Sequence, residues 1–304
     1  MIYRDTASKV SVAQKISDEF IKNENMLAVI GHYDSTIAEQ LSVGYDQANL
    51  LYLCTGARVA SLTDHNFDYL MRTCINSRMI AKNMVNGLAE MGYRKPFVVT
   101  QEDDYGRDIK FHFEYFMDFK DMDLCGANSY FRWEKNFNDI VYNLKTVSCD
   151  LLFLCGFEPW AGYFLRDMRN MGMNIPFAAT LTHIDDMRKV TGSASQDAIY
   201  FTSYDPNAGD QDNMEFVRKF VKRFGEEPDA SAVTGYDTLH MLAYAIKTTG
   251  TLKPLALSYF IKYCLNYDGV NGKYRFNPGG EVIERPFYLK QVKGNESVII
   301  WSND

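Results

Sequence analysis

Short apolar runs that stop abruptly at polar or aromatic loops, usually with a helix-periodic segment behind them, recur along this chain. Met26-Leu-Ala-Val-Ile30 stops at Gly31 and leads into His32-Tyr-Asp-Ser-Thr36. Leu50-Leu-Tyr-Leu-Cys54 stops at Thr55-Gly-Ala-Arg58, and Pro96-Phe-Val-Val-Thr100 at Gln101-Glu-Asp-Asp-Tyr-Gly106. Asp150-Leu-Leu-Phe-Leu-Cys155 stops at Gly156-Phe-Glu-Pro-Trp160, and Ile175-Pro-Phe-Ala-Ala179 at Thr180-Leu-Thr-His183. Strands buried on both faces of a parallel sheet read in this way, and open α/β sheets bind ligands at the carboxyl ends of their strands. The loops therefore matter more for function than the runs. In the first, Ser35-Thr36 opens a helical segment. These hydroxyls are expected to cap it, and its free amides to favour an anion such as a carboxylate.

The alternation restarts near Lys95, which predicts an α/β protein of two similar, doubly wound parallel-sheet lobes. Helices are expected over 10–23, 35–48, 76–91, 106–119, 136–146, 159–171, 211–224, 231–249 and 254–264. Strands are expected over 26–31, 49–54, 96–100, 125–131, 150–155, 175–179 and 198–202. The chain ends in β-structure over 272–276, 284–292 and 297–301. With 304 residues, two domains are expected.

Composition removes several functions. A net charge of −7 argues against nucleic acid or an anionic membrane as the main partner. No apolar run approaches the roughly 18 residues that would cross a bilayer. Aromatics at 14% supply flat surfaces to line a cleft. No strand-end loop carries Gly-x-Gly-x-x-Gly, a phosphate loop, a Gly-x-Ser-x-Gly elbow or His-Glu-x-x-His, so no cofactor, metal or catalytic residue is expected. His32, His65, His112, His183 and His240 are scattered and read as hydrogen-bonded or surface imidazoles. The acidic pair Asp103-Asp104 reads as a helix cap or solvated turn. Cys54, Cys74, Cys125, Cys149, Cys155 and Cys264 form no Cys-x-x-Cys pair or zinc spacing. They read as reduced, mostly buried thiols, with disulfides left open for an exported protein.

Val29-Ile-Gly-His32 with Ser35-Thr36, then Thr55-Gly-Ala57, then Phe67-Asp-Tyr-Leu-Met-Arg-Thr73 together form an ordered set of motifs. Asp104-Tyr-Gly106 and Tyr267-Asp-Gly-Val-Asn-Gly-Lys-Tyr-Arg-Phe-Asn-Pro-Gly-Gly280 continue it. The set resembles the periplasmic branched-chain amino-acid (Leu/Ile/Val) binding proteins, the solute receptors of ABC transporters, over essentially the whole chain. The resemblance implies a type I periplasmic fold, with lobes joined by a three-crossover hinge and closing like a flytrap on a ligand. It assigns 1–94 and 229–284 to an N-lobe and 95–228 and 285–304 to a C-lobe. It also implies periplasmic or extracellular lipoprotein placement and an ABC permease as partner, although no signal sequence precedes Met1.

Two departures from the family carry expectations of their own. Members normally begin with a complete strand–helix unit ahead of this segment. Met1-Ile-Tyr-Arg-Asp5 then corresponds to their second strand, and the N-lobe is expected to be truncated, its gap filled by some other element such as a homodimer partner. In amino-acid receptors of the family, a hydroxyl in the first loop and a Thr two places after the Gly of the second hold the ligand's α-carboxylate. Ser35 retains the first, but Arg58 stands at the second. A Tyr and a downstream Glu hold the ammonium. Tyr105 matches the Tyr, but the Glu position falls in Thr180-Leu-Thr-His183. The expected ligand is therefore a carboxylate without an amine, aromatic or aliphatic, in preference to an amino acid. Ser35, Thr36, Ala57 and Arg58 are expected to anchor it, with Tyr33, Phe157 and Trp160 stacking on its body. Tyr105, Thr182 and Tyr204 are expected to complete the site. Two other readings of the chain are a ligand-sensing domain of a regulator with the same fold and, ranked lower, an α/β hydrolase-like enzyme.

Overall fold

The computed structural model describes residues 1–181, 184–208 and 211–303. The chain forms two compact units, 1–76 with 204–285 and 77–203 with 286–304. The sequence reading put the boundaries at 94/95, 228/229 and 284/285; the structure moves the first two. Helix 77–90 packs along the helix that follows it, and so joins the second unit. The segment from Tyr204 packs on the long helix 230–249, and so joins the first.

The first unit opens with α1 (Val10–Ile21), β1 (Ala28–Gly31), α2 (Ser35–Gln47), β2 (Leu51–Cys54) and β3 (Leu70–Arg72). The strands form a parallel sheet in the order β1-β2-β3. One face, with Val29, Tyr52 and Leu70, packs under α1 and α2 through Ala13, Ile37, Leu41 and Tyr45. Residues Met1–Asp5, expected to be strand, have no regular structure; among the described residues no strand pairs with them, and Arg4 pairs through its side chain with Glu19.

The second unit contains α3 (Ser77–Glu90), β4 (Pro96–Gln101), α4 (Asp104–Met117), β5 (Gly126–Tyr130), α5 (Asn138–Lys145) and β6 (Leu151–Cys155). It continues with α6 (Trp160–Asn170), β7 (Phe177–Ala179), α7 (Ile184–Thr191) and β8 (Ile199–Thr202). The chain then returns to the first unit with α8 (Gln211–Phe224), α9 (Ala230–Thr249), α10 (Pro254–Tyr263) and the antiparallel strands β9 (Tyr267–Gly269), β10 (Gly272–Phe276) and β11 (Val282–Ile283). α9 and α10 cover the other face of the first sheet, where Leu51, Leu53 and Met71 meet Met241, Ala245, Leu257 and Ile261. The chain closes in the second unit with β12 (Tyr288–Lys293) and β13 (Glu296–Ser302).

The second sheet runs β13-β12-β8-β7-β6-β4-β5, parallel from β5 to β8 and antiparallel at the β12 and β13 edge. Each residue of β4 and β6 is buried, which is why both read as continuous apolar runs. β4 lies between β5 and β6, so the chain leaves it in opposite directions. That reversal opens a crevice at the carboxyl ends of β4 and β6. Helix α7, with eight residues, and strand β3, with three, are too short to have been read from sequence.

Cys125 and Cys149 are joined in a disulfide, which corrects the reading of all six cysteines as reduced. They stand just ahead of β5 and β6, the two neighbours of β4, 24 residues apart. Cys54, Cys74 and Cys155 are free and buried, as expected of thiols at strand ends. Reducing the Cys125–Cys149 bond, or replacing both residues by Ser, is expected to lower stability by about 3 kcal/mol through the loop it closes. Urea unfolding with and without reductant measures this directly.

Candidate functional site

In the first unit the loop after β1 and the loop after β2 are held together by Ser35. Its Oγ accepts from the Arg58 amide at 3.2 Å and from the Val59 amide at 3.3 Å. Two accepted bonds use both lone pairs of the hydroxyl and leave its O–H as a donor. Ser35 does not cap α2. That role falls to Asp34, whose carboxylate accepts from the Ile37 amide at 3.2 Å, so the positive end of this helix already holds an anion. Thr36 lies in the first turn behind it, half-buried. The close approach of the two loops requires glycine at position 56, where a Cβ would stand 2.9 Å from the Tyr33 Cα. Tyr33 is the exposed aromatic of this pair of loops.

Arg58 is 6% exposed. The Cys74 thiol is held well above its ordinary value, first by its hydrogen bond with Cys54 and then by burial, with Arg58 and Arg72 pulling against the rise. The Arg58 guanidinium is therefore within electrostatic reach of Cys74. Ala57 is fully buried. Its amide donates to the His32 carbonyl at 2.8 Å, and its carbonyl accepts from the thiols of Cys54 and Cys74 at 3.6 Å. Ala57 thus shapes the loop, and its backbone groups are occupied within the unit.

Beneath this loop lies Arg72, fully buried, paired with Glu281. Its Nε donates to both carboxylate oxygens at 3.1 and 3.0 Å, its Nη1 to the Val59 carbonyl at 2.5 Å, and its Nη2 to Thr63 Oγ1 at 3.0 Å. Thr63 in turn donates to Glu281 at 2.8 Å. Burial alone would lower the Arg72 pKa, but the Glu281 carboxylate outweighs burial and raises it. The buried cation is what holds the 57–63 segment.

In the second unit Asp103 caps α4, accepting from the Gly106 amide at 2.8 Å, and Tyr105 follows in the first turn. The acidic pair at 103–104 is thus structural. The chain turns so tightly here that a Cβ at Gly106 would stand 2.2 Å from the Gln101 carbonyl oxygen. Tyr105 stacks on Phe157 with centroids 4.5 Å apart and donates to the Thr180 carbonyl at 3.4 Å. Trp160 opens α6 and packs on the hydrophobic core of its unit.

One expected site residue falls in the other unit from the one expected, and another is not described. Tyr204 belongs to the first unit, where its ring packs with Phe216 and Val233 and its hydroxyl donates to Asn213 Oδ1 at 2.6 Å. Thr182 lies outside the described residues. A side chain that the sequence reading did not single out stands beside Phe157. Arg132, after β5, places its guanidinium 5.8 Å from the Phe157 ring centre and donates to Asp103 at 2.9 Å. Its signal was the strand-end run Tyr130-Phe-Arg-Trp133.

A family profile described as "Periplasmic binding protein" matches residues 1–297. The chain belongs to this family. It is a solute-binding protein, and the hydroxyl of Ser35 in its first strand-end loop accepts from two backbone amides. The periplasmic binding protein is similar to the Leu/Ile/Val-binding protein homolog 2 of Brucella abortus (strain 2308), 21% identical over 306 residues that cover 97% of this chain and 80% of the relative. Among solved structures, an ABC transporter substrate-binding protein from Desulfitobacterium hafniense in complex with Leu is 24% identical with a TM-score of 0.85, covering 98% of this chain and 88% of that one. A solute-binding protein of an ABC transporter from R. palustris in complex with benzoate is 17% identical with a TM-score of 0.86, covering 98% and 83%. No helix of the described residues is long and apolar enough to cross a membrane.

Glu281→Gln leaves Arg72 buried without its counter-charge and is expected to lower stability by about 3–5 kcal/mol in urea unfolding. Arg72→Met with Glu281→Leu removes both charges and is expected to recover most of that loss. The double variant still lacks the donors to Val59 and Thr63, so faster amide exchange at 58–63 is expected to persist. A second prediction concerns His32, which stacks on Tyr45 and contacts its hydroxyl at 3.3 Å. Burial lowers its pKa from 6.5, with Asp34 opposing. As pH falls, the unfolded chain takes up the proton first, so this contribution is full above 6.5 and lost as pH falls below it, toward the folded value. Melting midpoints between about pH 7.5 and pH 5 should fall with a steeper slope in the native protein than in His32→Gln.

Proposed function

We propose that this protein captures a small carboxylate, with aromatic or aliphatic acids preferred over zwitterionic amino acids, and delivers it to an ABC permease. The observation that carries the reading is the bond from the Arg58 backbone amide to the Ser35 hydroxyl, which holds the loops that carry these two residues side by side. Arg58 replaces a neutral hydroxyl with a cation that can grip a carboxylate through two parallel hydrogen bonds. Tyr33 and Thr36 stand beside Ser35 in the chain. In the second unit by itself, Tyr105 and Phe157 form a stacked aromatic pair at the strand ends, a surface of the kind that suits an aromatic or aliphatic body. The solved relatives named with Leu and with benzoate bracket this ligand class.

Placement outside the cytoplasm is supported by the Cys125–Cys149 disulfide, a bond that persists in oxidising compartments.

A thermal-shift and calorimetric series with benzoate, a branched aliphatic acid, leucine and isoleucine tests the reading. A carboxylate at a hundredfold its dissociation constant adds roughly 2.7 kcal/mol of stability. Arg58→Ala is expected to weaken its binding by about 10- to 100-fold, the worth of charge-assisted hydrogen bonds. Tight binding of leucine with none of benzoate would overturn the preference for an acid without an amine.

A further inference from the structure

Cys54 and Cys74 form a buried pair of thiols under the loop that carries Arg58. Cys54 ends β2, and its Cα partner in β3 is Arg72. The Thr73 amide carries the parallel ladder one residue further by donating to the Cys54 carbonyl at 2.9 Å. Side chains two apart on an extended chain share a face, so Cys74 follows Leu70 and Arg72 on the side where Cys54 follows Tyr52. Cys54 is fully buried and Cys74 is 6% exposed. Both thiols reach one acceptor, the Ala57 carbonyl, each at 3.6 Å, and they are hydrogen-bonded to each other.

Their surroundings favour negative charge on sulfur. Burial opposes ionisation of Cys54, but the hydrogen bond with Cys74, the Arg72 charge, Tyr52 and the Gly56 amide outweigh it and bring the thiol below its ordinary value. At Cys74 the hydrogen bond with Cys54 and burial hold the proton in place, while Arg58 and Arg72 pull against them. One negative charge is thus accommodated readily. A second is accommodated when a positive ion stands between the sulfurs.

We propose that Cys54 and Cys74 bind one monovalent soft metal ion, of the Cu(I) and Ag(I) class, as a two-coordinate bis-thiolate. Thiolate ligands select soft ions of this kind. On binding, each thiol gives its proton to solvent and each sulfur forms one bond to the ion, with no change of oxidation state at metal or sulfur. The resulting unit carries one negative charge, which Arg58 and Arg72 stabilise. A divalent ion would make a neutral unit and gain nothing from the two arginines. Zinc takes four ligands. Among the described residues, no group of three or more His, Cys, Asp or Glu is placed to hold a metal ion. A disulfide is the competing fate of two neighbouring thiols. It joins Cα atoms roughly 4.4–6.8 Å apart. Strand spacing and rise put a diagonal pair such as this at about 8 Å, which leaves room for an ion between the sulfurs.

The test uses the full chain with its Cys125–Cys149 disulfide intact, titrated without oxygen with Cu(I) that is held by bicinchoninate and kept reduced by ascorbate. One equivalent is expected to pass to the protein and to resist displacement by excess Zn(II). X-ray absorption at copper is expected to show two sulfur neighbours and no nitrogen. Cys264, the exposed free cysteine, lies outside the pair, and Cys264→Ser is expected to leave the transfer unchanged. Cys54→Ser and Cys74→Ser are each expected to weaken binding by more than about 100-fold, beyond the 10- to 100-fold typical of losing an outer-shell partner. The absorption measurement is made on the native protein, so it decides the matter even where a serine variant fails to fold. No transfer, transfer that survives in a folded Cys54→Ser or is lost in Cys264→Ser, or nitrogen in the copper shell overturns the proposal. So does a Cys54–Cys74 disulfide found by mass mapping of the same preparation. None of these readouts depends on the carboxylate series.

Discussion

Arg72 and Glu281 form the buried ion pair around which the loop after β2 in the first unit is arranged. A guanidinium without solvent must spend its donors on protein oxygens, and Arg72 reaches Glu281, Val59, Ala60 and Thr63. Its own amide donates to the Gly280 carbonyl at 2.7 Å, and residues 72 and 281 pair as an isolated bridge. The end of β3, the segment after β2 and the turn before β11 are thus held by one charge. The price of burying that charge is met by these partners together, so the segment that carries Arg58 has little freedom to move away from it.

The same logic separates scaffold from contact surface in both units. Strands covered on both faces leave only their ends and following loops for chemistry. In the first unit Ser35 links two such loops through backbone amides. In the second, Gln101 accepts from the Tyr130 hydroxyl at 3.3 Å, and Thr180 accepts from the Gly156 amide at 3.2 Å. These buried polar contacts join β4, β5, β6 and β7 at their carboxyl ends. They hold the backbone beneath Tyr105 and Phe157, whose rings stack above.

Much of the architecture was legible because fully covered strands demand continuous apolar runs. β2, β4 and β6 were read for that reason, and α4 and α9 because apolar periodicity met a capping residue and a clear end. Residues 1–5 were misread as strand because an apolar pattern supports a strand only where a neighbour completes its hydrogen bonds. The unit boundaries were misplaced for a related reason: helix 77–90 is contiguous with the first unit in sequence but buries its apolar face in the second. The hydroxyls at 35 and 36 were expected to cap α2, yet the cap was Asp34. Tyr204 looked like a loop aromatic, but its hydroxyl found Asn213 within its own unit. Arg132 went unnoticed because nothing local marks an arginine that lies over a ring 25 residues further along.

By itself the sequence determined the class of protein: buried parallel strands, polar strand-end loops, two restarting α/β lobes, and a hydroxyl and an arginine in loops of a solute receptor. Those properties follow from local periodicity and residue chemistry, which act over a few positions. Tertiary structure alone decided which hydroxyl oxygen accepts from which amide, that Arg72 and not a local turn holds the Arg58 segment, and that Cys125 and Cys149 meet in a disulfide. Each of these depends on partners far apart in the chain, whose meeting no local pattern records.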